Sequence, residues 1–167
     1  MNASPAPSEI KIRKMNPADL DRVIEIDHLS FTLPWPERSF HFEVEQNEAA
    51  RAWVAEAAND DGTTTIVGMI VGWLIVDEIH IATIATDPAC RMQGIGRRLM
   101  VHLLREAYSE GARISFLEVR RGNEAAREMY QKLGYQEDGV RLHYYKDNHE
   151  DAILMSLQSI DPALFDS

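Results

Sequence analysis

Apolar and polar residues alternate over Glu9 to Lys14 as in an edge strand. Leu20, Val23, Ile24 and Asp27 then fall at helical spacing behind Pro17. Phe31 to Pro36 breaks that helix, and Pro36 suits the first turn of a second one running to about Gln46. Ala52 to Ala57 and Thr65 to Val76 read as strands joined through Asn59-Asp60-Asp61-Gly62, a hairpin signal. Ile79 to Thr86 predicts a further strand, and Gly94 to about Glu110 a helix with Leu99, Leu103, Leu104 and Tyr108 inward and Gly111 as its stop. Ile114 to Arg120 returns as a strand. Asn123 caps a short helix ending near Leu133-Gly134, and strand-like runs follow around Val140 to Tyr145 and Ala152 to Leu157. Such alternation predicts one α/β (α+β) domain over residues 9–160, a mixed sheet with helices on both faces, with 1–8 a disordered tail and 161–167 a loose end.

Composition narrows the function classes. A chain of 167 residues is long enough for one continuous core, and its formal charge of -10 argues against a general nucleic-acid binder, which needs a basic face. A basic peptide partner fits better. The run Ile66 to Val76 is too short to span a bilayer and is interrupted by Gly68 and Gly72, so no membrane association is expected. The single Cys90 rules out an internal disulfide framework, Met1 to Ser8 lacks the features of a signal peptide, and a cytoplasmic protein is expected. The six histidines show no metal-ligand spacing, so no metal is expected.

The most distinctive stretch is Arg91-Met92-Gln93-Gly94-Ile95-Gly96-Arg97-Arg98, between a strand and an amphipathic helix. Two glycines one residue apart let the backbone turn sharply and approach a ligand, and the amides and dipole of a helix start favour negative charge. Arg91, Arg97 and Arg98 would add mobile positive charge. The stretch suits a pyrophosphate, although a plain strand-to-helix turn with surface arginines has the same sequence. A dinucleotide fingerprint needs a third glycine where Leu99 stands, and a nucleoside-triphosphate loop needs a Gly-Lys-Ser/Thr ending that this stretch lacks.

These residues carry a family resemblance. Ile84-Ala85-Thr86-Asp87-Pro88, the Arg91-x-x-Gly94-x-Gly96 loop, Leu117-Glu118-Val119-Arg120, Asn123, Ala125-Ala126, Tyr130 and Leu133-Gly134-Tyr135 together resemble the GCN5-related N-acetyltransferases. Phe31-x-Leu33-Pro34-Trp35, Tyr144-Tyr145 and Glu150-Asp151-Ala152 are similar to the branch that acetylates protein N-termini, with the ribosomal-protein-alanine acetyltransferases of bacteria the nearest likeness. The resemblance runs from about Ile10 to Leu157. It implies a mixed, mostly antiparallel sheet with a splayed parallel strand pair, flanked by about four helices. Met92 departs from the pattern, since a basic residue is common there.

The resemblance also implies roles. Acetyl-CoA would be the cosubstrate, held by Ile84, Ala85 and Thr86, by Arg91 to Arg97 (Met92, Gln93, Gly94, Ile95 and Gly96 between them) and by Asn123. A backbone amide near Ala85 would stabilise developing charge on the thioester oxygen. Glu118 would be the general base and Tyr130 the proton donor to the departing thiolate. Leu33, Pro34, Trp35, Tyr144 and Tyr145 would wall the acceptor, the N-terminus of a ribosomal protein, for an enzyme acting as a monomer or weak homodimer. Plainer readings stand beside each role. Ile84 to Thr86 could be ordinary buried strand, Glu118 an ion-pair partner of Arg120 or Arg121, and Tyr130 a core aromatic. Leu33 to Pro36 could be a packed corner, and Tyr144 and Tyr145 exposed strand residues. A related enzyme for small amines or lysine side chains, or an acyl-CoA-responsive interaction module, would share most of these features.

Overall fold

The computed structural model describes residues 9–166, so the tail expected at 1–8 lies outside the described residues. The elements are β1 (Ile10–Lys14), α1 (Leu20–Ser30), α2 (Glu37–Glu45), β2 (Ala50–Ala58), β3 (Thr64–Ile75), β4 (Glu78–Thr86), α3 (Ile95–Ser109), β5 (Ile114–Arg120), α4 (Glu124–Lys132), β6 (Gln136–Arg141) and β7 (Ala152–Leu157). The strands form one seven-stranded sheet in the order β1-β2-β3-β4-β5-β7-β6, in which β4 and β5 are the parallel pair. Their register covers only Glu78–His80 against Ile114–Phe116, whereas β4 runs on to Thr86 and β5 to Arg120. This is the fold implied by the resemblance. Among the described residues no helix is long and apolar enough to cross a membrane.

The chain divides into two compact units. One holds the described residues up to Gly72 together with Thr83–Leu103, and the other Trp73–Ala82 together with the described residues from Leu104. In the first unit, a 3-10 turn at Pro17–Asp19 with an Asn16 capping box leads into α1, which buries Leu20, Val23, Ile26 and Asp27 while Ile24 stays half-buried. β3 packs closely on the first turns of α3. A Cβ on Gly68 would stand 3.1 Å from Leu99 Cδ1, 3.2 Å from Ile95 Cγ2 and 3.3 Å from Ala85 O. A side chain there would press on these atoms, so glycine suits the place where β3 meets the start of α3 and the end of β4.

In the second unit, β5 and β7 run antiparallel, with Glu118 opposite Leu154, and β6 closes the edge through a bulge between Glu137 and Gly139. Alternation along β5 buries Ser115, Leu117 and Val119 and turns Glu118 outward. The strand expected at Val140 to Tyr145 is corrected to Gln136–Arg141, so Tyr144 and Tyr145 lie on the loop between β6 and β7. β6 is an edge strand whose residues are mostly exposed, and its polar sequence gives no apolar signal. The end beyond Ile160 forms a 3-10 turn at Pro162–Asp166. Arg105 donates to the Phe165 carbonyl and lies over its ring at 5.8 Å.

Candidate active site

The sequence-predicted residues fall into two groups, one in each unit. In the first unit, the turn from β4 into α3 is fixed before it reaches the glycines. Asp87 N–H donates to Val67 O at 2.8 Å, and the Asp87 carboxylate accepts from Ala89 N–H at 2.9 Å and from the Arg22 guanidinium. Arg22 also donates to Ile66 O at 3.0 Å and to Glu25 at 2.7 Å. Burial acts to raise the Asp87 pKa, but the Ala89 amide and Arg22 outweigh it and hold the carboxyl below the usual range. Cys90 is buried, and burial pushes its thiol up, the opposite of an activated nucleophile.

Beyond this turn the loop opens. Arg91 Nε donates to Thr86 O at 3.3 Å, Met92 is 96% exposed with φ 65°, and Gly94 has φ 77°. A Cβ on Gly94 would meet nothing within 4 Å. At the start of α3 Arg98 N–H donates to Gly94 O at 3.0 Å, and a helix start in general offers amides to other acceptors. Gln93 Oε1 is buried without a hydrogen-bond partner among the described residues. Helix-start amides beside open space at Gly94 suit an anion such as a phosphate. Arg98 is a correction, because its guanidinium donates to Ile10 O at 2.7 Å and so is not mobile charge beside the loop. Ala85 is buried on β4, flanked by the half-buried Ile84 and Thr86.

The predicted acceptor segment, also in the first unit, is tied to α1. Phe31 N–H donates to Asp27 O at 3.0 Å, and Trp35 N–H donates to Asp27 Oδ2 at 2.8 Å. Trp35 lies 5.1 Å from Phe40, Pro34 is half-buried, and Leu33 is 52% exposed. Asp27 is buried and its Oδ1 has no partner among the described residues. Burial pushes this carboxyl above the usual range, and the Trp35 amide and His28 offset only part of that. The helical period places Asp27 on the apolar face, but its grip on Trp35 has no local sequence signal.

The second unit brings together Glu118, Tyr130, Tyr144 and Tyr145. Glu118 pairs with Arg141 at 3.5 Å, and the Tyr144 hydroxyl donates to it. The partners expected from adjacency are engaged elsewhere. Arg120 pairs with Asp147 and Glu150, and Arg121 with Asp151 at 3.3 Å. The Glu118 charge, more than burial, raises the Tyr144 pKa. Burial pushes Tyr145 up to about 12, with Arg120 opposing and Glu118 reinforcing. Tyr130 is buried on α4 with its pKa raised first by burial and then by Tyr145, so its hydroxyl keeps its proton. Asn123 caps α4, its side-chain oxygen accepting from Ala126 N–H at 3.3 Å. Among the described residues no group of three or more His, Cys, Asp or Glu could hold a metal ion.

Comparison with known proteins identifies the family of the chain. Residues 20–135 match the acetyltransferase (GNAT) family. The ribosomal protein bS18-alanine N-acetyltransferase of Escherichia coli K12 is 32% identical over 148 residues, spanning 87% of this chain and 95% of that one. The Mycobacterium tuberculosis N-alpha-acetyltransferase RimI is 31% identical over 164 residues, 92% of this chain and 96% of that one. Among solved structures, the ribosomal-protein-S18-alanine N-acetyltransferase from Escherichia coli superposes with a TM-score of 0.79 at 30% identity, covering 91% of this chain and 94% of that one.

Proposed function

This chain belongs to the acetyltransferase (GNAT) family and is an acetyl-CoA-dependent N-acetyltransferase, and from that premise we propose that its acceptor is the α-amine of a protein N-terminus that begins with alanine. The Salmonella typhimurium and Escherichia coli relatives are named ribosomal protein bS18-alanine N-acetyltransferases, and a small-subunit ribosomal protein is the acceptor we assign. The basic character of such proteins complements a chain of formal charge -10. The cytoplasm is then the compartment of the reaction.

Acetyl-CoA supplies the acetyl group as an activated thioester. The loop from Arg91 to Arg97 would receive its pyrophosphate on backbone amides, and an amide near Ala85 would donate to the thioester oxygen as negative charge develops. Glu118 would take the proton from the acceptor. An α-ammonium has a pKa of about 8 and is mostly protonated at neutral pH, so attack requires a base. The Tyr130 hydroxyl, kept protonated by burial, would give a proton to the departing sulfur. Tyr144 and Tyr145 would wall the acceptor backbone.

One observation carries this reading. On a strand that buries Leu117 and Val119, Glu118 is turned outward under the Tyr144 hydroxyl, a carboxylate held by groups that can yield to an incoming ammonium. The test incubates the protein with acetyl-CoA and a peptide bearing an N-terminal alanine and an internal lysine, and locates the product by mass spectrometry. Acetylation at the terminus is expected, since lysine, with a pKa of about 10.4, is harder for a carboxylate to deprotonate. Modification mainly at lysine would overturn the acceptor assignment.

A further inference from the structure

The loop between β6 and β7, residues 142–151, contains no strand or helix but carries Tyr144 and Tyr145. Two of its residues, His143 (φ 53°) and His149 (φ 57°), stand in the left-handed region without being glycine. Such backbone persists only where the surroundings over-determine it. Backbone bonds close the loop on itself, with Tyr145 N–H to Glu150 O at 3.1 Å and His149 N–H to Tyr145 O at 2.8 Å. Tyr144 donates to Glu118 and Arg121 pairs with Asp151 at 3.3 Å, but one side chain on β5 reaches more of the loop than either.

That side chain is Arg120, at the end of β5 and two residues from Glu118, hence on the same face of the strand. Its guanidinium forms a fork with Asp147, both N–O distances being 3.0 Å, and reaches Asn148 at 3.3 Å and Glu150 at 3.4 Å. Its plane lies 3.9 Å from the Tyr145 ring centroid. Glu150 returns the connection to β5 by accepting from Gly122 N–H at 2.7 Å. Planar, bidentate and stacked contacts are all properties of arginine that lysine lacks.

We infer that Arg120 is a positioning residue for the acceptor: through Tyr145, Asp147 and Glu150 it holds the β6–β7 loop in the shape that keeps Tyr144 on Glu118 and Tyr145 stacked where an acceptor backbone would lie. This rests on the proposed role of the two tyrosines as an acceptor wall. A purely structural network would instead affect both substrates alike, through stability.

The experiment measures KM for an alanine-initiated peptide and for acetyl-CoA, with melting temperatures, in Arg120→Lys, Asp147→Asn and Tyr145→Ala. Asp147→Asn breaks the fork from the loop side and keeps the stacked arginine, which guards against a misfolded Arg120→Lys. Arg120→Lys should raise the peptide KM about tenfold while leaving the acetyl-CoA KM within about twofold, and Asp147→Asn should do the same more weakly. A raised peptide KM in Tyr145→Ala with wild-type values in both network variants would overturn the inference and leave the acceptor wall standing. An unchanged peptide KM in Tyr145→Ala would overturn the wall itself. Equal losses toward both substrates, tracking a lowered melting temperature, would return Arg120 to a structural role and overturn the inference.

Discussion

At the start of α3 the groups offered to a ligand are backbone amides, whereas on β5 and the loop beside it they are side-chain oxygens. The first arrangement needs residues that leave the backbone bare. Gly94 has φ 77° and open space where a Cβ would stand, and the exposed Met92 side chain touches little. The second needs chemistry at fixed atoms, with a carboxylate at Glu118 and hydroxyls at Tyr130, Tyr144 and Tyr145. Backbone-built sites therefore tolerate changes of side chain but not of backbone shape or local charge, and side-chain-built sites behave the other way.

The largest expected effect breaks the cradle. Gly94→Glu puts an L-residue at φ 77° and a carboxylate against the phosphates. Like charges at about 4 Å cost about 4 kcal/mol at an effective dielectric constant near 20, so acetyl-CoA affinity should fall by about 10³-fold or more. Calorimetry measures this. An unchanged Kd in a folded variant removes the cradle.

Next comes the side-chain face. Glu118→Gln should lower kcat about 10²-fold while acetyl-CoA affinity stays near wild type, because only proton removal is lost. Tyr130→Phe should cost about tenfold, since water can partly replace the donor. Steady-state rates with a saturating peptide decide it, and full activity in both variants would return these residues to ion pairing and core packing.

How much of this was legible in the sequence follows from the same contrast. The cradle was readable because glycine spacing and a strong helical period are local signals, and α3 begins one residue from its expected start. Glu118 was readable as a carboxylate among apolar strand residues. Its partner was not, because adjacency suggests Arg120 or Arg121, while strand geometry and chain return bring Arg141 to it from 23 residues away. Tyr144 and Tyr145 were placed on a strand for the same reason: apolar bulk marks strands, and the exposed, polar β6 carries none of it. Asp27 shows the limit most clearly, since nothing local reveals that its carboxylate captures an amide eight residues on.

Asp27 also gives a test inside the first unit, where a side chain rather than the backbone holds a loop. Its folded pKa is raised above an unfolded value of about 3.9, so the stability it contributes is full below that value and lost as pH rises through the folded pKa. Asp27→Asn does not titrate. Relative to that variant, the wild type should lose stability as pH rises above about 4, read as a difference of denaturant midpoints. A constant difference across that range would mean that Asp27 titrates normally.

The smallest effect sharpens the comparison most directly. Met92 holds φ 65° and is almost fully exposed, so its side chain contributes little packing while its backbone bears strain. A left-handed L-residue costs about 1–2 kcal/mol, and the extra freedom of glycine in the unfolded chain takes back about 0.5–1 kcal/mol. Met92→Gly should therefore stabilise the protein by about 0–1.5 kcal/mol, a rise in Tm of roughly 2 °C at the middle of that range for this size. On the proposed reading, in which the amides and not the side chain would hold the ligand, acetyl-CoA affinity should stay within about twofold. Differential scanning calorimetry reads the first quantity and titration calorimetry the second. A more stable variant that binds tenfold more weakly would show that the Met92 side chain is part of the cradle, and the distinction between a backbone-built and a side-chain-built region would fail at its first loop.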